Sequence, residues 1–117
     1  MAYEGMPVVR NGALFLPDST DPIQMDSAHW FAWLEEAHHF SYMSTQTSYR
    51  MTVRKEKRRH DLNWYAYLKE AGKLHNGYVG RSARVTAERL EQMIQQLAEK
   101  SRQFRRQYQN EPKAEGT

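Results

Sequence analysis

The chain has 117 residues, of which 39% are hydrophobic, and a formal net charge of +3. This length predicts one domain with a modest core, because small domains bury a smaller fraction of their surface. The absence of cysteine excludes a disulfide framework, a cysteine-ligated zinc finger and a thiol nucleophile. No apolar run approaches the roughly 18 residues of a membrane helix, and the first residues lack the features of a signal peptide. We therefore expect a cytoplasmic protein with no membrane partner.

Positive charge is concentrated in the middle of the chain. Residues 1–48 contain one basic and six acidic residues, whereas residues 49–84 contain ten basic and three acidic residues. Clustered positive charge is the usual electrostatic footprint of a surface that binds a polyanion, most often a nucleic acid. The same segment contains a Trp and several Tyr residues, so basic and aromatic side chains are brought together.

The N-terminal region predicts a β-hairpin followed by a short helix. Asn11-Gly12 lies between two apolar runs and tolerates the positive φ angles of a tight turn, so we predict strands near 7–10 and 13–16. The turn-forming stretch 17–22 ends this hairpin. Apolar residues at helical spacing then predict a helix from about Ser27 to Ala37.

Three strands are predicted in the basic middle segment. Residues 47–56 alternate between apolar and polar side chains, which is the period-2 pattern of a half-buried strand. Residues 63–70 have the same alternation, and 57–61 is a charged turn between the first two strands. A turn centred on Gly72 leads to the third strand at 74–80, although Asn76-Gly77 within it could instead be a turn. Residues 39–44 also resemble a strand.

The C-terminal part of the chain predicts a long helix. Thr86 fits its N-cap, and Val85 before it and Leu90 after it fit a hydrophobic staple. A stripe of side chains at helical spacing follows, which consists of Leu90, Met93, Ile94, Leu97, Ser101, Phe104 and Tyr108. Residues 111–117 are predicted to be a disordered tail.

These elements predict an α+β fold. An N-terminal hairpin and a short helix precede a three-stranded antiparallel sheet, and this sheet packs against the long C-terminal helix. One domain is expected over residues 1–110, with the sheet-helix module at about 39–108. We expect Trp64, Ala66 and Val79 to point inward, because Trp is the largest apolar group and Ala suits a closely packed helix.

The opposite face of the predicted sheet is expected to contact double-stranded DNA. It carries Arg50, Thr52, Arg54, Tyr65, Tyr67, Lys69, Asn76 and Tyr78. The charged turn beside it adds Lys55, Lys57, Arg58, Arg59 and His60. Strands fit the major groove, where Arg reads guanine edges, while Lys neutralises phosphate and Tyr offers a hydroxyl group to it. Such a protein would be a small transcriptional regulator or an accessory factor of a mobile element.

Other interpretations of the same residues stay open. Trp and Tyr are favoured in strands in any case, and a charge run can be a solvated hairpin tip that protects an edge. The sheet could instead be a protein docking surface, with the long helix as the seam of a homodimer. Glu35 and His38 form only half of a carboxylate-bridged metal site. No catalytic residue, metal or cofactor is predicted, because the sequence contains no recognisable catalytic motif.

A longer stretch resembles a known module. The residues NWYAYLKEAGKLHNGYVGRSARVTAERLEQM, at 63–93, resemble the N-terminal region of large bacterial LuxR-type regulators, which carry the signature WYAYR…GK…RYLG.S…T..RLE. The resemblance covers about residues 28–95, and this chain has Leu68 and Gly77 where the family has basic residues. More distantly, the order of elements is similar to the arm-DNA-binding domains of tyrosine recombinases and the plant ethylene-response-factor domains. In those families the sheet enters the major groove, which implies a DNA-binding role here.

Overall fold

The computed structural model describes residues 5–110, with side chains described as far as residue 107. The predicted tail at 111–117 lies outside the described residues. The strands are β1 Val8–Arg10, β2 Ala13–Phe15, β3 Ile23–Gln24, β4 His39–Met43, β5 Arg50–Arg58, β6 Asp61–Glu70 and β7 Lys73–Gly80. The helices are α1 Ala28–Glu36 and α2 Ala87–Asn110, and a 3₁₀ turn, Ser82–Arg84, precedes α2.

All of these strands join one seven-stranded mixed sheet in the order β3-β2-β1-β4-β5-β6-β7. The α+β class is confirmed, but the prediction of a three-stranded antiparallel sheet is wrong. The N-terminal hairpin extends the sheet, because β1 pairs with β4 in parallel and places Val8 opposite Ser41. The predicted strand at 39–44 is confirmed as β4, in which Phe40, Ser41 and Tyr42 are all buried.

Two tight turns lie where the sequence predicts them. Asn11 and Gly12 have φ angles of 52° and 80°, and Arg10 pairs with Ala13 across the turn. Ala71 and Gly72 have φ angles of 53° and 79° between β6 and β7. Positive φ at both central residues defines the hairpin turn whose twist matches that of the strands.

The turn between β5 and β6 is shorter than the predicted turn at 57–61. Arg58 pairs with Asp61, so only Arg59 and His60 form the loop. Residues 57 and 58 therefore continue the strand, and the strand periodicity decides on which side each of their side chains lies.

Both helices begin at side-chain caps. The Ser27 hydroxyl accepts a hydrogen bond from the Trp30 amide at 3.2 Å, and the Thr86 hydroxyl accepts one from the Arg89 amide at 3.2 Å. These bonds satisfy amide groups that have no partner within the first helical turn. The predicted N-cap at Thr86 is confirmed.

The core lies between one face of the sheet and the two helices. Trp64, Ala66 and Val79 are buried there, so their predicted inward orientation is confirmed. The Trp64 indole donates to the Ser82 hydroxyl at 2.9 Å, and its ring lies 5.5 Å from that of Phe40. Burial of these rings, together with a partner for the indole N–H, anchors β6 beneath the chain that leads into α2.

Helix α2 uses its apolar stripe against the sheet. Its buried side chains are Leu90, Met93, Ile94, Leu97, Ala98 and Ser101. A Cβ atom added to Gly77 would lie 2.6 Å from the Met93 sulfur, so the helix approaches β7 closely. The first part of the stripe is thus occupied within the chain, and the predicted homodimer through α2 would have to use other residues.

Basic side chains of α2 also cover the outer edge of β7. Lys100 Nζ donates to the Asn76 carbonyl at 3.1 Å, and Arg89 Nη2 donates to the Tyr78 carbonyl at 2.6 Å. An edge strand with free carbonyl groups invites pairing with another chain, and charged side chains at the edge oppose this.

Within residues 5–110, neither helix is long and apolar enough to cross a membrane.

Candidate nucleic-acid interface

We call the side of the sheet away from α1 and α2 the open face. On β5, β6 and β7 its side chains are Arg50, Thr52, Arg54, Glu56, Arg58, Asn63, Tyr65, Tyr67, Lys69, Leu74, Asn76 and Tyr78. All of them are exposed or half-buried, whereas most of the residues that alternate with them in the middle of each strand are buried. This alternation is what a sheet with one covered and one solvated face requires.

The strand register brings the predicted face together. Arg54 lies opposite Tyr65, and Tyr65 lies opposite Tyr78. Thr52 and Tyr67 form the next pair. Arg50, Thr52, Arg54, Tyr65, Tyr67, Lys69, Asn76 and Tyr78 therefore share one face, as the sequence predicted, and their contact with DNA stays a prediction.

Lys55 does not belong to the open face. Its Nζ atom donates to the Leu34 carbonyl at 2.8 Å and the Glu35 carbonyl at 3.0 Å, and it lies 5.3 Å from the centre of the Trp64 ring. These carbonyls end α1, so Lys55 is a C-terminal cap of that helix. The prediction that Lys55 joins the charged turn as a DNA contact rests on charge alone, and its position in the strand puts it on the covered side instead.

Lys57 follows Lys55 on the same side of β5. It lies opposite Leu62, which is 55% exposed, so the end of the β5-β6 hairpin extends beyond the helices. Arg58 lies on the open side by alternation, and Arg59 occupies the loop. The basic residues at the tip therefore point in different directions rather than towards one surface.

The open face also contains a carboxylate that the sequence did not predict there. Glu56 accepts a hydrogen bond from the Tyr67 hydroxyl, and Arg58 Nη2 lies 2.8 Å from its Oε1 atom. The hydrogen bond from Tyr67, followed by Arg58, lowers the pKa of Glu56. Because Glu56 stays ionised, it offsets the charge of Arg58. Among the described residues, Arg50, Arg54 and Lys69 are then the positive charges of this face that no carboxylate pairs with.

Aromatic rings on the open face are held by their neighbours. The guanidinium carbon of Arg58 lies 3.8 Å from the centre of the Tyr65 ring, and the Tyr65 and Tyr78 rings meet edge to face at 5.5 Å. The Tyr78 hydroxyl donates to Asn63 Oδ1 at 3.1 Å, although Tyr78 remains 52% exposed. The rings thus present flat surface to solvent with little freedom to lose on binding.

The N-terminal end of the open face has a different character. A depression of about 290 Å³ lies there, and its lining is mostly apolar: Met6, Val8, Phe15, Leu16, Pro17 and Met43, together with Arg10 and Arg50. The guanidinium carbon of Arg10 lies 4.4 Å from the centre of the Phe15 ring. The sequence predicts no function for this surface, because the parallel pairing of β1 with β4 that creates it has no local sequence signal.

A second polar cluster joins α2 to the β4-β5 loop. Glu91 accepts hydrogen bonds from the Tyr42 hydroxyl at 2.6 Å, the Ser44 hydroxyl at 2.7 Å and the Thr45 amide at 3.1 Å. Burial, then the bond to Glu91, raises the pKa of Tyr42. All of these groups are satisfied by one another, so we assign the cluster to stability rather than to binding. Its partners are 46 or more residues apart in the chain, and no sequence spacing identifies them.

Among the described residues, no group of three or more His, Asp or Glu side chains is arranged to hold a metal ion. Comparisons of the chain with family models, curated protein sequences and solved structures found no match. The chemistry of the open face is therefore the basis on which a function can be assigned.

Proposed function

We propose that the chain binds double-stranded DNA through the open face of β5, β6 and β7, without catalysis. The observation that carries the proposal is that Arg50, Arg54 and Lys69 share this face with three tyrosines while both helices cover the other side. A cytoplasmic location and a role as a small regulator or mobile-element accessory factor belong to the same proposal.

The chemistry of the face suits a duplex. The width of the major groove admits a two-stranded β-ribbon, and β5 and β6 form one at their hairpin end, where residues 56–58 pair with residues 61–63 beyond β4 and β7. Arg50 and Arg54 supply planar donors for guanine edges or phosphate, and Lys69 supplies a point charge. The Tyr78 ring, held by its hydrogen bond to Asn63, offers a flat surface to the sugar-phosphate backbone.

A salt titration of duplex binding tests this proposal. We expect Arg50→Gln combined with Arg54→Gln to weaken binding and to flatten the slope of log K against log salt by about 0.9 for each phosphate that is no longer neutralised. Arg102→Gln combined with Arg106→Gln removes the same charge from α2 and is the matched control. Equal reductions in both double variants would indicate attraction by net charge alone and would contradict the assignment of the face.

A protein-docking role is the second candidate. It is favoured by the apolar depression around Met6, Val8 and Met43, which lies on the same side of the sheet. In that case Met43→Glu would abolish a concentration-dependent association measured by sedimentation, and Arg54→Gln would leave that association unchanged.

A further inference from the structure

A second basic feature lies beside the open face, at the Gly80 end of β7. A cleft of about 460 Å³ is lined there by three arginines, Arg81, Arg84 and Arg89, together with Tyr78 and Gln92. No carboxylate is among its described lining residues. Any carboxylate that offsets the positive charge of the three arginines therefore lies outside the cleft.

The three guanidinium groups are held to different degrees. Arg89 donates through Nε to the Val79 carbonyl at 3.1 Å and through Nη2 to the Tyr78 carbonyl at 2.6 Å. These two bonds fix the plane of the Arg89 guanidinium, and Nη1 takes part in neither of them. Arg81 Nη2 lies 3.2 Å from Asp61 Oδ1, an exposed pair that contributes little stability. Within the described part of the chain, the Arg84 guanidinium has no hydrogen-bond or ion-pair partner.

The local fold positions Arg84 at this cleft. Gly80 has a φ angle of 135°, a conformation that side chains rarely adopt. A Cβ atom added to Gly80 would also lie 3.0 Å from the Arg84 Cβ atom. The strand end and the 3₁₀ turn therefore meet in close contact, and Arg84 is carried on ordered backbone rather than on a free loop.

We propose that this cleft binds a phosphate group of the DNA backbone, an inference that rests on the proposed function. Guanidinium groups bind phosphate through parallel hydrogen bonds, and Arg89, which two backbone carbonyls hold in place, loses less freedom on binding than a mobile side chain does. Tyr78 both lines the cleft and stands on the open face. A DNA strand that crosses Tyr78 towards the edge of β7 reaches the cleft, so the backbone is held beside the groove contacts.

The test uses Arg84→Gln in the full chain, because the Arg84 guanidinium supports no other described contact and its removal leaves the fold intact. We expect duplex affinity to fall about tenfold, as for one charge-assisted hydrogen bond, and the salt slope to flatten by about 0.9. Arg106→Gln, on the exposed surface of α2, is the single-charge control and leaves the slope closer to the wild-type value. A duplex in which single phosphates are replaced by neutral methylphosphonates then locates the contact.

The outcomes separate this inference from the proposed function. If the wild type binds duplex and Arg84→Gln has the wild-type slope, the cleft assignment is wrong and the DNA-binding function stands. If the wild type binds no duplex at low salt, the proposed function fails and the cleft assignment fails with it. Inorganic pyrophosphate that competes with the duplex as strongly as unlabelled DNA would show a site for free phosphates, which contradicts a backbone contact.

Discussion

On strand β6, Trp64 and Tyr65 are neighbours in the chain and lie on opposite sides of the sheet. Trp64 is fully buried, and its ring packs against Phe40 beneath both helices. Tyr65 is half-buried, and its ring packs against the Arg58 guanidinium and the edge of Tyr78. One face is thus stabilised by removing apolar surface from water, and the other by pairs of side chains that solvent still reaches.

This difference indicates which residues are free to serve a function. A buried residue is constrained by its volume, because interiors are close-packed. On the open face, a side chain can be exchanged with a small loss of stability, so the accumulation of Arg, Lys and Tyr there is not required by the fold. Measurements of stability and duplex binding on variants of both faces test this contrast.

The largest expected effect is at Trp64. Trp64→Ala removes a fully buried ring and the partner of Ser82, and we expect a loss of about 3–5 kcal/mol in the free energy of unfolding. Tyr65→Ala should cost roughly 1 kcal/mol or less, as expected of a cross-strand pair. Urea denaturation of both variants measures the contrast. Equal losses of stability would contradict the assignment of the two faces.

The Glu91 cluster should give the next largest effect, and an effect of pH. Burial alone would raise the pKa of Glu91, but hydrogen bonds from Tyr42, Ser44 and other donors outweigh it and lower the pKa. A carboxylate with a lowered pKa in the folded state stabilises the protein at pH values above its pKa in the unfolded chain, about 4.3. This stability is lost as the pH falls through the pKa of the folded state.

Glu91→Gln removes the charge and keeps the shape of the side chain. We expect it to cost about 1–3 kcal/mol at neutral pH, because the donors around it lose a charged acceptor. The difference in unfolding free energy from the wild type should shrink below about pH 4, where the carboxylate of the unfolded chain becomes protonated. Glu88→Gln, at an exposed position in the first turn of α2, is the control. A difference that stays constant from neutral pH into the acid range would contradict an ionised Glu91 in the folded state.

Local patterns in the sequence predict the parts of this fold that local chemistry controls. Asn11-Gly12 and Thr86 act through their own backbone conformation or capping, and both positions are confirmed. The parallel pairing of Val8 with Ser41 joins distant segments through main-chain hydrogen bonds. Side-chain patterns contain little information about such a pairing, and the predicted sheet is therefore too small.

The candidate interface divides in the same way. The alternation of β5 and β6 correctly predicts that Arg54 and Tyr65 share a face. A count of charge that ignores alternation places Lys55 in the charged turn, although it caps α1. The same count does not separate Glu56 from the basic residues around it. The bonds of Glu56 to Tyr67 and Arg58 depend on the pairing register of β5 with β6, which the sequence alone does not reveal.

Lys55 and Arg54 allow a direct comparison of the two faces between adjacent residues. Lys55→Met keeps the apolar stem but removes the bonds to the Leu34 and Glu35 carbonyls, so we expect a loss of about 1–2 kcal/mol in unfolding free energy. Arg54→Met should change stability by roughly 0.5 kcal/mol or less, as at other surface positions. Urea denaturation of the two variants measures the difference.

Duplex binding by the same two variants should show the reverse order. Arg54→Met removes a contact in the proposed interface, whereas Lys55→Met removes an equal charge from the covered side. We expect weaker binding and a flatter salt slope for Arg54→Met alone. Fluorescence anisotropy with a labelled duplex measures both quantities. Weaker binding by Lys55→Met to the same extent would mean that the duplex responds to total charge and not to the open face.

The smallest effect on stability, and the only expected gain in binding, concerns Glu56. Glu56→Gln keeps an acceptor for the Tyr67 hydroxyl but removes the negative charge that offsets Arg58. Arg58 then becomes available to phosphate, so we expect tighter duplex binding and a salt slope that is steeper by up to about 0.9. Glu70→Gln removes a carboxylate from the far end of β6, where it pairs with Arg105 at 3.5 Å, and is the control. Because a docking site for an uncharged protein surface would not strengthen in this way, a gain for Glu56→Gln that exceeds the control distinguishes the two candidate functions of the open face.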